Sequence, residues 1–227
     1  MGLTPHARLM SQQDSQFFEK ARARLCRKLR ERGISDERVL SAMAQVPRER
    51  FVPAELEEDA YADIALPIGE GQTISQPFVV ALMTQSLKLQ GEETVLEVGT
   101  GSGYQAAVLA QLCRHVVTVE RLAELAQPAQ DLLAELDVSN VTFFVGDGTL
   151  GCPEHAPYDG ILVTAAAPDI PAPLFRQLKE GGRLTIPVGS VEAQSLWCVQ
   201  KQDGRPVTET LCECRFVKLI GAAGWED

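Results

Sequence analysis

The chain has 227 residues, 45% of them hydrophobic, and a formal net charge of −10. That supports one large domain with a sizeable core, and the acidic balance argues against a nucleic-acid binder working through its overall field. No apolar run approaches the ~20 residues of a membrane helix, so no membrane partner is expected.

Residues 1–10 carry no apolar segment, so no signal peptide is expected and the protein reads as cytoplasmic. Met1-Gly2 opens like a myristoylation site, but His6 stands where Ser or Thr is required. Cys26, Cys113, Cys152, Cys198, Cys212 and Cys214 are scattered without a C-x-x-C pair. They read as ordinary thiols in a reducing compartment, and no metal is expected.

The first predicted helix covers residues 14–32. Phe17, Phe18, Ala21, Leu25 and Leu29 recur at helical spacing, and Arg22, Arg24, Arg27, Lys28, Arg30 and Arg32 crowd the remainder. In so acidic a chain this basic face reads as solvated. Gly33 ends the helix. Ser35 is the expected N-cap of a second helix carrying Val39, Leu40, Met43 and Val46 until Pro47 stops it. Residues 48–76 read as irregular, rich in Pro and Gly, yet ordered by Phe51, Val52, Tyr61, Ile64, Leu66, Ile68 and Ile74. A helix over 78–87 follows, with Phe78, Val79, Leu82, Met83 and Leu87 turned inward.

From Thr94 the pattern alternates. Strands are predicted at 95–98, 116–120, 141–145, 161–164 and 183–188, with helices at 105–112, 125–136 and 173–178. Such alternation gives an α/β fold with a doubly wound, parallel sheet. The tail differs: 195–200 and 208–219, split by Asp203-Gly204, read as an antiparallel pair.

The most informative stretch runs from Val95 to Tyr104. A β-branched run meets Gly99, Gly101 and Gly103, with Thr100 and Ser102 between them, and a helical pattern follows. This strand–turn–helix lets backbone approach a nucleotide or amino-acid ligand closely, with helix N–H groups facing it. Its G-x-G-x-G spacing is not the dinucleotide pattern G-x-G-x-x-G. Glu120 closes the next strand about 20 residues on, suited to gripping a ribose diol. NAD and S-adenosylmethionine both need that acid. Two features favour S-adenosylmethionine. Glu97 precedes the loop, where methyltransferases commonly hold an acid near the cofactor's amino-acid end. Asp147 follows the third strand between Gly146 and Gly148, where an Asp accepts from the adenine amino group and glycines leave room for the ring.

At this point the chain resembles the protein-L-isoaspartate (D-aspartate) O-methyltransferase family. The matching stretches are Val46 to Pro53, Ala65 to Gly69, Gly71-Gln72-Thr73-Ile74-Ser75-Gln76-Pro77, Val95 to Tyr104, Val119-Glu120-Arg121, Gly146-Asp147-Gly148, Thr164-Ala165-Ala166 and Arg215-Phe216-Val217. Order and spacing fit over residues 17–219, and Gly71 to Pro77 is the specific signal. The resemblance implies a class I S-adenosylmethionine-dependent methyltransferase. Its Rossmann-like doubly wound sheet would be mostly parallel, with an antiparallel C-terminal strand pair and added N-terminal helices. Residues 1–90 would be those helices and an active-site loop, packed on a core of 91–227 in a single compact domain. The implied activity is protein repair: the free α-carboxylate of L-isoaspartyl residues in age-damaged proteins and peptides is methylated, and the ester collapses to a succinimide. Carried over by motif, Gln72, Glu97, Gly99, Thr100, Gly101, Ser102, Gly103, Glu120, Asp147 and Gly148 would bind the cofactor. Thr73, Ser75, Gln76 and Val217 would meet the substrate, and Ser75 falls on the family's active-site serine. The protein would be a monomer. One departure stands out: where the family often has proline after Arg-Phe-Val, this chain has Lys218, which would either change the edge strand along which a substrate peptide lies or, as a basic group, favour acidic peptides.

The chemistry suits these residues. A carboxylate is already ionised at neutral pH, and its in-line attack on a sulfonium methyl needs no proton removed. His6, His115 and His155 therefore read as surface or packing residues. Ser75 is expected to position the carboxylate and not to be a covalent nucleophile. Thr73 and the N–H groups of the helix opened by Pro77 are expected as further donors. The last strand around Phe216, Val217 and Leu219 is expected to pair with the substrate backbone by strand addition. The competing readings are a nicotinamide oxidoreductase using Glu120, a non-catalytic cofactor-binding adaptor for damaged proteins, and a methyltransferase acting on another carboxylate, a small molecule or RNA.

Overall fold

A computed structural model describes residues 12–226. The readings made on residues 1–10, His6 and Met1-Gly2 among them, lie outside the described residues.

Helices α1 (Gln12–Glu31) and α2 (Glu37–Gln45) form as an antiparallel pair because Leu25, Leu29, Val39, Leu40 and Met43 fall on facing stripes and are buried. Phe17, expected on the inner stripe, is instead 52% exposed. The α2 cap is Asp36 and not Ser35: the Asp36 carboxylate accepts the Arg38 N–H at 2.9 Å, while the Ser35 N–H donates to Gln85. Half of the basic face is engaged internally. Arg22 reaches Tyr61 and Glu49, Arg30 pairs with Glu37, and Arg32 pairs with Asp63.

The segment expected to be irregular holds two short 3-10 helices and a hairpin, β1 (Leu66–Gly69) with β2 (Gln72–Ile74). Its turn needs a left-handed backbone at Gly69, Glu70 and Gly71 in succession, with φ of 97°, 49° and 67°, and two glycines supply most of it. Helix α3 (Pro77–Ser86) turns Val80, Ala81, Met83 and Thr84 fully inward, whereas Phe78, Val79 and Leu82 are only half-buried.

The remaining strands are β3 (Thr94–Val98), β4 (His115–Glu120), β5 (Val141–Val145), β6 (Tyr158–Val163), β7 (Leu178–Gly189), β8 (Gln194–Gln202) and β9 (Arg205–Cys214). They form one seven-stranded sheet in the order β5-β4-β3-β6-β7-β8-β9. The first five in that order are parallel, and β8 and β9 join antiparallel. Helices α4 (Tyr104–Ala110), α5 (Ala123–Glu135) and α6 (Ala172–Gln177) connect the parallel strands. Both β6 and β7 begin earlier than expected, because Tyr158 pairs with Leu178 across a bulge. The last strand ends earlier: β9 stops at Cys214 and does not reach Leu219. The chain then crosses to the end of β6, where Val217 C=O accepts from Ala166 N–H and Leu219 N–H donates to Ala166 C=O, both at 2.8 Å.

Neighbouring strand residues serve opposite layers. Val95 and Val116 belong to the layer under α1–α4, and Leu96 and Val117 to the layer on the other face. The chain leaves β3 toward β4 on one side and returns to β6 on the other. A reversal of this kind opens a crevice at the carboxyl ends of the strands, the usual ligand position in open α/β sheets.

Candidate active site

A cavity of about 360 Å³ fills that crevice. The end of β3 contributes Val98, Gly99, Thr100, Gly101 and Ser102. The end of β4 contributes Glu120, and Gly148 follows β5. Hairpin residues Gln72, Thr73 and Ser75 form the facing wall, and Val217, Lys218 and Ile220 of the C-terminal tail close one side.

The glycine loop is shaped by space as much as by φ. Gly99 sits at φ 93°, and a Cβ there would stand 2.3 Å from Thr164 Oγ1. The Thr164 hydroxyl donates to the Gly99 carbonyl at 2.6 Å, so the loop is clamped onto the end of β6. A Cβ at Gly148 would lie 2.5 Å from Val98 Cγ1, so bare main chain is required where Gly148 packs on the end of β3. Glu120 accepts the N–H groups of Gly101, Arg121 and Leu122 at 2.8–3.0 Å. A carboxylate has about four acceptor positions, so room for a ligand hydroxyl remains.

Four of the expected residues stand off the cavity lining. Gly103 serves packing: a Cβ there would meet Leu133 Cδ1 at 2.9 Å and Ala129 Cβ at 3.1 Å, on α5. Glu97 lies fully buried beneath the loop. It accepts from Thr118 Oγ1 at 2.5 Å, and Thr118 Oγ1 in turn lies 2.6 Å from Thr100 Oγ1. Its Oε1 has no partner, and burial pushes the Glu97 carboxyl up to about 8. Asp147 holds the tail. Its Oδ1 accepts from the Thr149 N–H and hydroxyl, and its Oδ2 accepts from Ala222 N–H at 2.8 Å. Burial opposes its ionisation, but these hydrogen bonds keep its carboxyl below the usual range. Gln76 turns its amide to the Asp63 carbonyl at 2.9 Å.

The N–H groups expected to serve as donors at the start of α3 are otherwise engaged. In the first turn of α3, Phe78 N–H donates to the Asp63 carboxylate, and Val79 and Val80 donate to the Gln76 carbonyl. The helix start is therefore not an open anion site. The segment around Val217 is occupied along one edge, where Ala166 takes the Val217 carbonyl and the Leu219 N–H; the N–H and C=O of Lys218 face the opposite edge. Exposed Thr73 and half-buried Ser75 both line the cavity. Neither described histidine reaches the cavity: His115 lies 3.1 Å from Thr142 Oγ1, and the His155 ring stacks near Phe144.

The sequence reading missed several lining residues. Gln105 and Tyr104 reach the cavity from the first turn of α4, Thr164 and Ala165 follow β6, and Ile220 arrives on the tail. Gln105 is legible only in three dimensions, where its amide donates to buried Thr84 at 2.9 Å.

A family model described as protein-L-isoaspartate(D-aspartate) O-methyltransferase (PCMT) matches residues 20–224. A protein-L-isoaspartate O-methyltransferase of Methanoculleus marisnigri is 55% identical over 198 residues, 87% of this chain and 90% of its own length. Protein-L-isoaspartate O-methyltransferase 1 of Syntrophobacter fumaroxidans is 54% identical over 210 residues, 92% of this chain and 98% of its own. A solved protein-L-isoaspartate O-methyltransferase superposes with a TM-score of 0.80 at 34% identity, covering 89% of this chain and 67% of that one. A structure described as a beta-aspartate methyltransferase (PCMT) from Plasmodium falciparum, in complex with S-adenosyl-L-homocysteine, gives 0.76 at 25% identity, covering 89% and 98%. The fold is that of class I S-adenosylmethionine-dependent methyltransferases, as the strand order and these neighbours agree. With the family matched over nearly its whole length, the chain belongs to the protein-L-isoaspartate O-methyltransferase family.

Proposed function

We propose that this chain performs its family's repair reaction at the cavity described, with Ser75 and Thr73 holding the isoaspartyl carboxylate. The observation that carries this is one continuous cavity with the glycine loop on one wall and Thr73 and Ser75 on the other. S-adenosylmethionine, when bound, supplies an electrophilic methyl on a sulfonium. The residues present fit it: Gly99, Gly101 and Gly148 bring side-chain-free backbone to the cavity, and the Glu120 carboxylate there keeps an acceptor position beyond the three N–H groups it takes. Gly99, Thr100, Gly101 and Ser102 would carry its amino-acid end, with Gln72 across from them. Glu120 would accept from its ribose hydroxyls. Gly148 would lie against its base, and Asp147 would serve by anchoring the tail behind that base.

Ser75 and Thr73 offer hydroxyl donors and no strong charge at contact. That is the appropriate balance, because a tightly bound carboxylate is a poorer nucleophile, and only interactions favouring the transition state raise the rate. Holding nucleophile and methyl in line, with water excluded, is the chain's main contribution. Val217 would flank the substrate through its side chain, its carbonyl being engaged by Ala166.

The same reading makes the protein a cytoplasmic monomer acting on age-damaged proteins and peptides, and not on nucleic acid. No helix among the described residues is long and apolar enough to cross a membrane. The deciding experiment offers labelled S-adenosylmethionine and two synthetic peptides that differ only in isoaspartyl or aspartyl linkage. Label on the isoaspartyl peptide alone is expected. Cofactor binding with label on neither would leave the adaptor reading standing. In Ser75→Ala, kcat/KM should fall about 100-fold with the protein still folded, a loss typical of a removed active-site donor.

A further inference from the structure

Arg48 is fully buried, yet no carboxylate among the described residues lies within ion-pair distance of it. A guanidinium stays protonated in proteins, and an uncompensated buried charge is costly. Something must account for its retention. Its Nε donates to the Ala60 carbonyl at 2.7 Å and its Nη2 to the Ser75 carbonyl at 2.8 Å. Its plane lies over the Tyr104 ring, 4.7 Å from the centroid. Its Nη1 and the Tyr104 hydroxyl are both buried without a partner. Tyr104 follows Gly103 and lines the cavity, as Ser75 does. One cation thus ties the hairpin wall to the start of the helix behind the glycine loop.

We propose that Arg48 is a positioning residue for methyl transfer, fixing Ser75 against Tyr104 and supplying the standing positive charge behind the substrate carboxylate. The inference rests on the reading of Ser75 as carboxylate holder. Asp63 favours the Arg48 charge from beyond ion-pair distance, and the incoming carboxylate is then a second anion facing it. It is met across the Ser75 main chain and not by contact, so its nucleophilicity is retained. Buried charge also explains why arginine is needed. Its planar fork spans two carbonyls and stacks on an aromatic face, which the single ammonium of lysine does not do.

The test joins kinetics to spectroscopy. Arg48→Met should raise KM for the isoaspartyl peptide about 30-fold or more, the usual scale for removing one partner of a buried charge pair. Its affinity for S-adenosylhomocysteine should stay within about 3-fold of wild type, so the loss falls on one half of the site. Arg48→Lys should recover part of that loss. In 15N-arginine-labelled wild type saturated with S-adenosylhomocysteine, the ring-shifted Arg48 Nε signal should move when the isoaspartyl peptide is added. It should not move with the aspartyl peptide. The wild-type titration and Arg48→Lys decide the matter if Arg48→Met does not fold. Unchanged KM in a folded variant, equal loss of product affinity, or an unmoved Arg48 signal overturns the proposal while leaving the activity intact. A wild-type protein that methylates neither peptide overturns both readings.

Discussion

The two walls of the cavity are built on different principles. The glycine-loop wall grows out of β3, β4 and β6, whose ladders are continuous main-chain hydrogen bonds in the middle of the sheet. The hairpin wall consists of strands of four and three residues that pair only with each other. It is held in place by single side chains: Arg48 on the Ser75 carbonyl, Asp63 on the Phe78 N–H, and Gln76 on the Asp63 carbonyl. A main-chain scaffold tolerates most side-chain changes but fails where an added Cβ has nowhere to go. A side-chain scaffold fails at one polar substitution.

The strongest test of that contrast is Gly99→Ala. The new Cβ would collide with Thr164 Oγ1 at 2.3 Å, at a φ of 93° that alanine resists. Strain of this type costs about 1–3 kcal/mol, and the loop must shift off its Thr164 clamp. Calorimetry should show S-adenosylhomocysteine affinity falling about 100-fold, a 2.7 kcal/mol effect within that strain range. Retained affinity would break the claim that space shapes this wall.

The same contrast explains what was legible in the sequence. The glycine loop and the central strands could be read because their pattern is local: a β-branched run, three glycines, then a helix. The β1–β2 hairpin was hidden because its strands are too short to show period-two alternation, and Pro67 sits inside one of them. Glu120 and Asp147 are both expected at the cofactor from sequence; Glu120 lines the cavity and Asp147 stands off it. The Asp147 contact with the Thr149 N–H is an ordinary turn bond two residues on, but the Ala222 N–H that it also holds lies 75 residues away, where no local pattern reaches. Arg48 lies in the Val46 to Pro53 stretch, where no local pattern gives it a task, since its partners Ala60, Ser75 and Tyr104 come together only on folding.

Asp63→Ala attacks the side-chain scaffold. Asp63 caps α3 through Phe78 at 2.9 Å and pairs with Arg32, whose guanidinium also lies 3.7 Å from the Phe78 ring centroid. Its loss should cost about 1 kcal/mol, as for other helix caps. It should lower kcat/KM for the isoaspartyl peptide about 10-fold by loosening Ser75 and Pro77, since positioning errors are paid in rate. Product affinity measured on the same protein should be unaffected. A parallel fall in both would mean that the walls are not independent.

Glu97→Gln sharpens the comparison from beneath the main-chain wall. The folded carboxyl titrates near 8, against about 4.3 when unfolded. Between those values the folded state binds the extra proton. The stability of the ligand-free protein therefore falls as pH rises through this window, and the penalty is complete above it. Glutamine mimics the neutral acid and carries no such penalty. The melting temperature of Glu97→Gln relative to wild type should start near zero at the acid end and climb by several degrees toward pH 8. A difference independent of pH would mean that Glu97 is ionised throughout.

Lys218 should give the smallest effect, because it belongs to neither scaffold. It is exposed at the cavity rim, its ammonium lying 5.8 Å from the Trp225 ring, and it makes no ion pair among the described residues. Its main chain bridges to Ala166, so the tail stays in place whatever the side chain. An exposed charge acts over about 10 Å at moderate salt, which is enough to reach residues flanking an isoaspartyl link. Lys218→Ala should raise KM about 3-fold for isoaspartyl peptides with neighbouring Glu, in line with exposed pairs worth under 1 kcal/mol. Peptides with neighbouring Lys should not lose affinity, and the difference should vanish at high salt. If the change is equal for both peptides, Lys218 acts by packing on Trp225 and its charge does not select acidic sequences.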